Sequence, residues 1–188
     1  MSQMNIQELV RILTLTLPIL IPGLTFIIVL KSKKLRFLDI PIDLKISLGG
    51  KRIFGDNKTI KGVAVMAAMG IIVIYALNLG FKSHLNSFIH PVFNNQPVFV
   101  SLIYSVSYTV GELINSFFKR RLGIPPGQSK PNHRNLQTFF DLSDGILVAI
   151  IALITFTSVS LYEALIAGFI GIFIHYCTDI LMKKLSLK

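Results

Sequence analysis

Two basic stretches interrupt an otherwise apolar chain and hold most of its candidate chemistry. The first runs from Gly49 to Gly62 and reads G-G-K-R-I-F-G-D-N-K-T-I-K-G. Lys51, Arg52, Lys58 and Lys61 supply cations, Thr59 a hydroxyl and Asp56 a carboxylate. Gly49, Gly50, Gly55 and Gly62 permit unusual backbone angles and close approach. Cationic side chains, hydroxyls and backbone N–H groups are what a triphosphate requires. The string G-D-N-K-T lacks the G-x-x-x-x-G-K-[ST] spacing of a P-loop, and no strand is expected before it. A membrane-edge loop whose lysines bind anionic lipid heads has the same composition. Composition alone leaves both readings open.

The second stretch, K-R-R-L-G-I-P-P-G-Q-S-K-P-N-H-R-N, spans Lys119 to Asn135 and runs on to Asp141 and Asp144. A separation of three places both carboxylates on one face of a helix. Acids in a first turn suit the helix dipole, and Asp141 or Ser143 alone is a fair N-cap. Two acids beside a polycationic loop are better explained as a hold on Mg2+, which keeps several waters and shares phosphate oxygens. A third set lies inside apolar segments: Glu112, Asn115 and Ser116 in one, His175 and Asp179 one turn apart in another. Ionisable residues within a membrane segment are costly and point to function. Interhelical hydrogen bonding, or snorkelling of Asp179 near its segment's end, is the competing explanation.

The elements that must position these residues follow from composition. The chain has 188 residues, 52% hydrophobic and 15% charged, with a mean hydropathy of +0.66. That is too apolar for an ordinary soluble domain and predicts one all-α, polytopic membrane domain over residues 1–188. A helix needs about 20 apolar residues to cross the hydrocarbon core. Five segments come close: 9–30, 63–81, 98–118, 145–160 and 161–181. The first contains Pro18, Pro22 and Gly23 and should kink there. It lacks the basic start and small-residue cleavage site of a signal peptide. With five spans, loops 31–62 and 119–143 and the C-terminal tail share one side, which then holds 17 of the 19 Lys and Arg residues. The positive-inside rule puts that side in the cytoplasm and the N-terminus outside. The same bias accounts for the net charge of +10 without nucleic acid. The lone Cys177 sits in an apolar segment and excludes an intrachain disulfide. His84 and His90, in the other loop, are expected to be solvated.

The stretch Pro41 to Gly62, with its G-x-R-x-x-G-D-x-K-T-x-x-G element, resembles the CDP-archaeol synthase family. So does S-F-F-K-R-R-L-G-I-P-P-G, Ser116 to Gly127, followed by Asp141 and Asp144. This second portion is also similar to a degenerate CDP-diacylglycerol synthase signature. The resemblance covers about Pro41 to Asp179. It implies a multi-pass enzyme of the cytoplasmic membrane, facing the cytoplasm, that transfers a cytidylyl group from CTP to a lipid phosphate and releases pyrophosphate. Arg52, Gly55, Asp56, Asn57, Lys58 and Thr59 would then bind CTP. Asp141 and Asp144 would hold Mg2+, with Glu112 as a third acid. Lys119, Arg120, Arg121 and His175 would serve the lipid phosphate or the leaving pyrophosphate. Archaeal members usually carry an acid where Gly49 stands, an Asn where Asp179 stands, and a Pro-Trp end that this chain lacks. Those departures leave the acceptor open between an ether-linked and a diacyl lipid phosphate. Copy number, with a homodimer as one option, is also open. A small transporter or channel subunit with lipid-binding loops is the alternative; it has no reason to bind CTP.

Overall fold

In the computed structural model, residues 5–94, 96–128 and 134–185 are described. Helices dominate, and four are long and apolar enough to cross a membrane; a bent pair at the N-terminus makes a fifth. That pair is α1 (Ile6–Thr14) and α2 (Leu17–Ser32), set at 48° to each other. The bend falls at Leu15–Thr16, earlier than the prolines predict. Pro18 occupies the first turn of α2, where it has no N–H to lose, so the break comes just before it. The carbonyl of Leu15, at the break, accepts a hydrogen bond from the buried Tyr104 hydroxyl at 2.9 Å. Pro22 lies inside α2.

After α2, a 3-10 turn at Arg36–Leu38 leads to a two-residue-stranded hairpin, β1 (Ser47–Leu48) and β2 (Lys51–Arg52). Gly49 and Gly50 turn it with φ of 58° and 73°. Two successive left-handed residues match the twist of a tight hairpin. A short strand therefore does precede G-D-N-K-T, but in an antiparallel hairpin, and the P-loop spacing is still missing. The helix α3 (Ile60–Phe81) follows, N-capped by Thr59. Then come α4 (Pro97–Arg121), α5 (Arg134–Phe156) and α6 (Leu161–Lys184). Ser160 and Glu163 form a reciprocal capping box that starts α6 directly after α5, giving the tight hairpin expected there.

Two boundaries differ from expectation with consequences for the site. The helix α4 continues through Lys119, Arg120 and Arg121, because basic residues favour a helix C-terminus. The helix α5 starts at Arg134 rather than Gly145, so Asp141 and Asp144 lie turns inside it and neither they nor Ser143 is an N-cap. The Ser143 hydroxyl instead donates to the carbonyl of Phe139 at 2.8 Å. Loop 119–143 shrinks accordingly; its centre, 129–133, lies outside the described residues.

Packing is uneven along the bundle. Ile12, Leu15, Ile74, Phe93, Tyr104, Leu153 and Ala164 form a dense core at the end remote from the basic loops. His90 belongs to that end and is 4% exposed, not solvated as expected. Its Nδ1 accepts from the Val92 N–H at 3.1 Å, so the proton sits on Nε2, which donates to Glu163 Oε1 at 3.1 Å. Its backbone N–H donates to Thr14 Oγ1 at 3.1 Å. Burial lowers its pKa, aided by Arg11 and opposed by Glu163. An unfolded His90 therefore binds a proton that the native one resists. Native stability should fall as pH drops through the ordinary histidine value of about 6.5. Thermal unfolding in detergent across that range checks this; His90→Gln should flatten the dependence, and an unchanged slope would discard it.

Candidate active site

The site is built where α4 and α5 touch. A Cβ added to Gly111 of α4 would lie 2.7 Å from the Gly145 Cα of α5, and one on Gly145 would lie 2.7 Å from the Tyr108 ring. Only glycine permits so close a crossing. It brings the polar face of α4 onto the acids of α5. Asn115 Nδ2 donates to Asp141 Oδ1 at 2.7 Å and to Asp144 Oδ2 at 2.8 Å, so both carboxylates converge on one amide. Lys119, one turn on, donates to both oxygens of Asp141 at 2.7 and 2.6 Å. Glu112, one turn back, accepts from Lys58 Nζ at 2.7 Å. Cation and carboxylate are thus interleaved at the open end of the bundle.

A cavity of about 760 Å³ joins these residues to the apolar interior. Asp56, Asn57, Lys58, Thr59, Glu112, Lys119, Arg120, Asp141, Asp144 and His175 line it. Its inner end is walled by Leu15, Tyr104, Leu153 and Ala164, the lower edge of the dense core. Arg120 is 6% exposed; it donates to the Ile124 carbonyl, while its Nε has no partner among the described residues. His175 Nδ1 lies 3.0 Å from the Leu142 carbonyl, which can only accept, so Nδ1 carries a proton. Nε2 can then donate to a phosphate only when the ring is charged.

Three expected site residues do not line the cavity: Arg52, Gly55 and Arg121. Their geometry is that of a scaffold. Arg52 donates to Asp43 through Nε (3.3 Å) and Nη2 (2.6 Å), and to Asp56 through Nη1 (2.8 Å). Arg121 donates to the carbonyls of Leu48, Lys51 and Arg52 and stacks over Phe117 at 5.2 Å. Gly55 has φ of 104°, and a Cβ there would meet Pro126 at 2.8 Å. It needs glycine for conformation and for closeness. Thr59 caps α3, accepting from the Gly62 N–H at 3.5 Å.

Sequence reasoning missed Asp43, the centre of this scaffold. Its side chain is fully buried and also accepts from the N–H groups of Lys45, Phe54 and Gly55. Burial alone would raise its pKa; Arg52 and the backbone donors outweigh that and hold it well below the usual carboxylate range. The same pair, with Asp56, raises the pKa of Arg52. The available signal was a single acid eight residues before Lys51, inside the stretch that carries the family resemblance. Asp43→Asn turns one acceptor oxygen into a donor that faces Arg52 or a backbone N–H. The buried oxygen then loses its ionic partner while Arg52, partly exposed, can turn to solvent. The helices should stay folded while the segment 43–57 becomes protease-sensitive and CTP binding is lost. Wild-type protection and affinity would show that Asp43 does not order the loop.

The donors near the cavity suit Mg2+ in type: two carboxylates converging beside cations that can take phosphate, the usual hard-oxygen set. Glu112, the expected third acid, is paired with Lys58 at 2.7 Å, and no cluster of three acids or imidazoles forms among the described residues.

The model of the CarS-like family, CDP-archaeol synthase, matches residues 6–188. A CDP-archaeol synthase from Pyrobaculum aerophilum is 33% identical over 141 residues, covering 75% of this chain and 74% of its own. One from Sulfolobus acidocaldarius is 26% identical over 150 residues, covering 79% and 80%. A solved structure described as an intramembrane enzyme for archaeal membrane lipid biosynthesis superposes with a TM-score of 0.61 at 22% identity, covering 94% of this chain and 95% of that one. It shares the fold. With the family model spanning nearly the whole chain, and with both motif regions gathered around one cavity, this protein belongs to the CDP-archaeol synthase family.

Proposed function

We propose that this chain is a membrane-embedded cytidylyltransferase that transfers CMP from CTP to a lipid phosphate. The observation that carries the reading is the cavity's two-part lining. Phosphate-binding cations and paired carboxylates stand at its mouth, and an apolar lining that includes Leu15, Ile19, Ile150 and Leu153 lies behind them. A nucleotide and a lipid headgroup can meet there. Family membership points the same way and removes the case for a transporter. Among the described residues, the core at the far end leaves no polar path across the bundle.

In the reaction, a lipid phosphate oxygen forms a bond to the α-phosphorus of CTP. The bond from that phosphorus to the β-bridging oxygen breaks, and pyrophosphate leaves with the electron pair. Positioning and charge neutralisation supply the rate. No general base is required, since a phosphate monoester loses its second proton near pH 6. Lys58 and the N-terminus of α3 behind Thr59 face the triphosphate; Lys119 and Arg120 take the lipid phosphate or the departing pyrophosphate. Asp141 and Asp144 would hold Mg2+. When bound, it would neutralise phosphate oxygens. Arg52 and Arg121 hold the loop in shape. His175 would assist the lipid phosphate when protonated.

The relatives' shared name favours an ether-linked glycerolipid phosphate as acceptor. The charge bias favours a cytoplasmic mouth. Purified protein with labelled CTP, Mg2+ and a panel of ether-linked and diacyl lipid phosphates tests the assignment. Labelled CDP-lipid is expected, most from the ether-linked acceptor. Absence of CTP-dependent transfer to every acceptor would end the proposal.

A further inference from the structure

The segment between α2 and α3 exposes apolar side chains that the reaction does not use. Phe37 is 73% exposed, Leu44 65%, and Ile46 and Leu48 57% each. Leu35 and Ile40 are exposed beside them. Large exposed apolar side chains gathered in one segment among polar ones mark an interaction site. Lys31, Lys33, Lys34, Arg36 and Lys45 are interleaved with it. None of these five forms an ion pair among the described residues, in contrast to Lys58, Lys61 and Lys119. Leu35, Leu44 and Lys45 also hold left-handed backbone, with φ of 55°, 46° and 64°. Side chains with a Cβ rarely adopt it, and burial does not explain it here.

The height of this patch is fixed by two clamps. At one side, Ile42 N–H donates to the Lys58 carbonyl and Ile60 N–H to the Ile40 carbonyl, both at 2.9 Å, and Asp39 pairs with Lys61 at 2.5 Å. These bonds tie residues 39–42 to the first turn of α3, and the 3-10 turn bearing Phe37 packs on the same helix. At the other side, Arg121, the last residue of α4, holds the carbonyls of Leu48, Lys51 and Arg52. Both clamps are ends of helices long enough to span a membrane. The patch therefore sits at the level where spans leave the hydrocarbon.

We infer that residues 35–48 form a membrane-docking surface, with Phe37, Leu44, Ile46 and Leu48 in the acyl boundary of the adjoining leaflet and the five free cations on its anionic headgroups. Apolar groups paired with cations at the interface are what such binding needs. A second copy of the chain fits worse, because a twofold contact would set the same unpaired cations against each other. On the cytidylyltransferase reading, the consequence is that Lys58 and Thr59 stand at headgroup depth, so the lipid phosphate reacts without leaving its layer.

The chain has no tryptophan, so Phe37→Trp and Leu48→Trp each give a single reporter that needs no activity. The full-length variants are reconstituted in phosphatidylcholine vesicles with and without phosphatidylglycerol. Expected are blue-shifted emission, quenching by lipids brominated near the top of the acyl chain, and iodide quenching several-fold below that of N-acetyltryptophanamide. Replacing Lys33, Lys34, Arg36 and Lys45 by Gln should weaken docking only with phosphatidylglycerol, by up to about fivefold per cation. Iodide access equal to the free indole in both variants would overturn the inference. So would protection that vanishes when the protein is diluted in excess lipid, the mark of a second copy. An effect of the Gln substitutions equal in both vesicles would remove the headgroup contact. None of these readouts depends on CTP, so failure here leaves the cytidylyltransferase assay standing, and the reverse.

Discussion

Asp141→Asn and Asp144→Asn are each expected to abolish CDP-lipid formation while the protein still inserts and folds. Asn keeps the size of the side chain and one oxygen acceptor but removes the charge. Both acids bond α4 through Asn115 or Lys119, but the close α4–α5 approach at Gly111 and Gly145 is untouched by either substitution. What is lost is the negative pair that converges on Asn115, and with it the proposed hold on Mg2+. Losing one preorganised electrostatic contact to a reacting centre costs about 10²–10³ in rate, and losing a metal with its phosphates costs more. The two positions should differ in detail. Asp141 is already engaged at both oxygens by Lys119 and must exchange that partner for metal. Its substitution frees Lys119 for phosphate and can leave nucleotide binding intact. Asp144 has Asn115 and the Gly145 N–H as neutral partners, so its substitution should act chiefly on the Mg2+ dependence. Turnover with titrated Mg2+, beside CTP binding and thermal unfolding, separates these effects. Wild-type-like activity of either variant at limiting Mg2+ would take that residue out of the site.

The hydrophobic periods and motif regions made the architecture legible. Spans, the α5–α6 hairpin and a bend near the N-terminus follow from runs of apolar residues and from Pro18. The start of α5 was not legible, because Arg134 to Asp144 mixes polar residues with Leu136, Phe139, Phe140 and Leu142 and shows no unbroken apolar run, yet it is helical where it meets α4. A start at Gly145 puts Asp141 and Asp144 at a helix end, whereas they lie in the helix interior. It left unseen the convergence on Asn115, which depends on the register of two helices far apart in sequence. The cations were found, but charge type does not say who their partners are. Arg52 and Lys58 look equivalent in the sequence; one holds Asp43 inside the loop and the other reaches Glu112 in the cavity. Asp43 escaped notice because a lone acid has no pattern, and only its buried bonds reveal its role. Gly111 and Gly145 read as ordinary membrane-helix glycines until the crossing is seen.

Lys58→Ala should lower CTP affinity, rate or both by about 10- to 150-fold, the equivalent of one charge-assisted contact of roughly 1.5–3 kcal/mol. Affinity for the lipid phosphate should change less. Lys33→Ala is the comparison. Lys33 is also at the membrane edge, but it caps α2, is exposed and does not line the cavity. Its removal should cost no more than about 1 kcal/mol of membrane attraction and leave transfer intact. Lys58 differs because its ammonium already sits 2.7 Å from Glu112 inside the cavity. Phosphate must compete with that carboxylate, so part of the loss in Lys58→Ala comes from an uncompensated negative charge facing the nucleotide. Glu112→Gln isolates this part. If Glu112 only parks Lys58, Glu112→Gln should preserve or strengthen CTP binding, and the Lys58→Ala penalty should shrink in the double variant. If Glu112 holds metal as a third acid, Glu112→Gln should instead be as damaging as the aspartate variants. Equal effects of Lys58→Ala and Lys33→Ala would mean that the basic loop acts as diffuse charge. The assignment of Lys58 to the triphosphate would then fall.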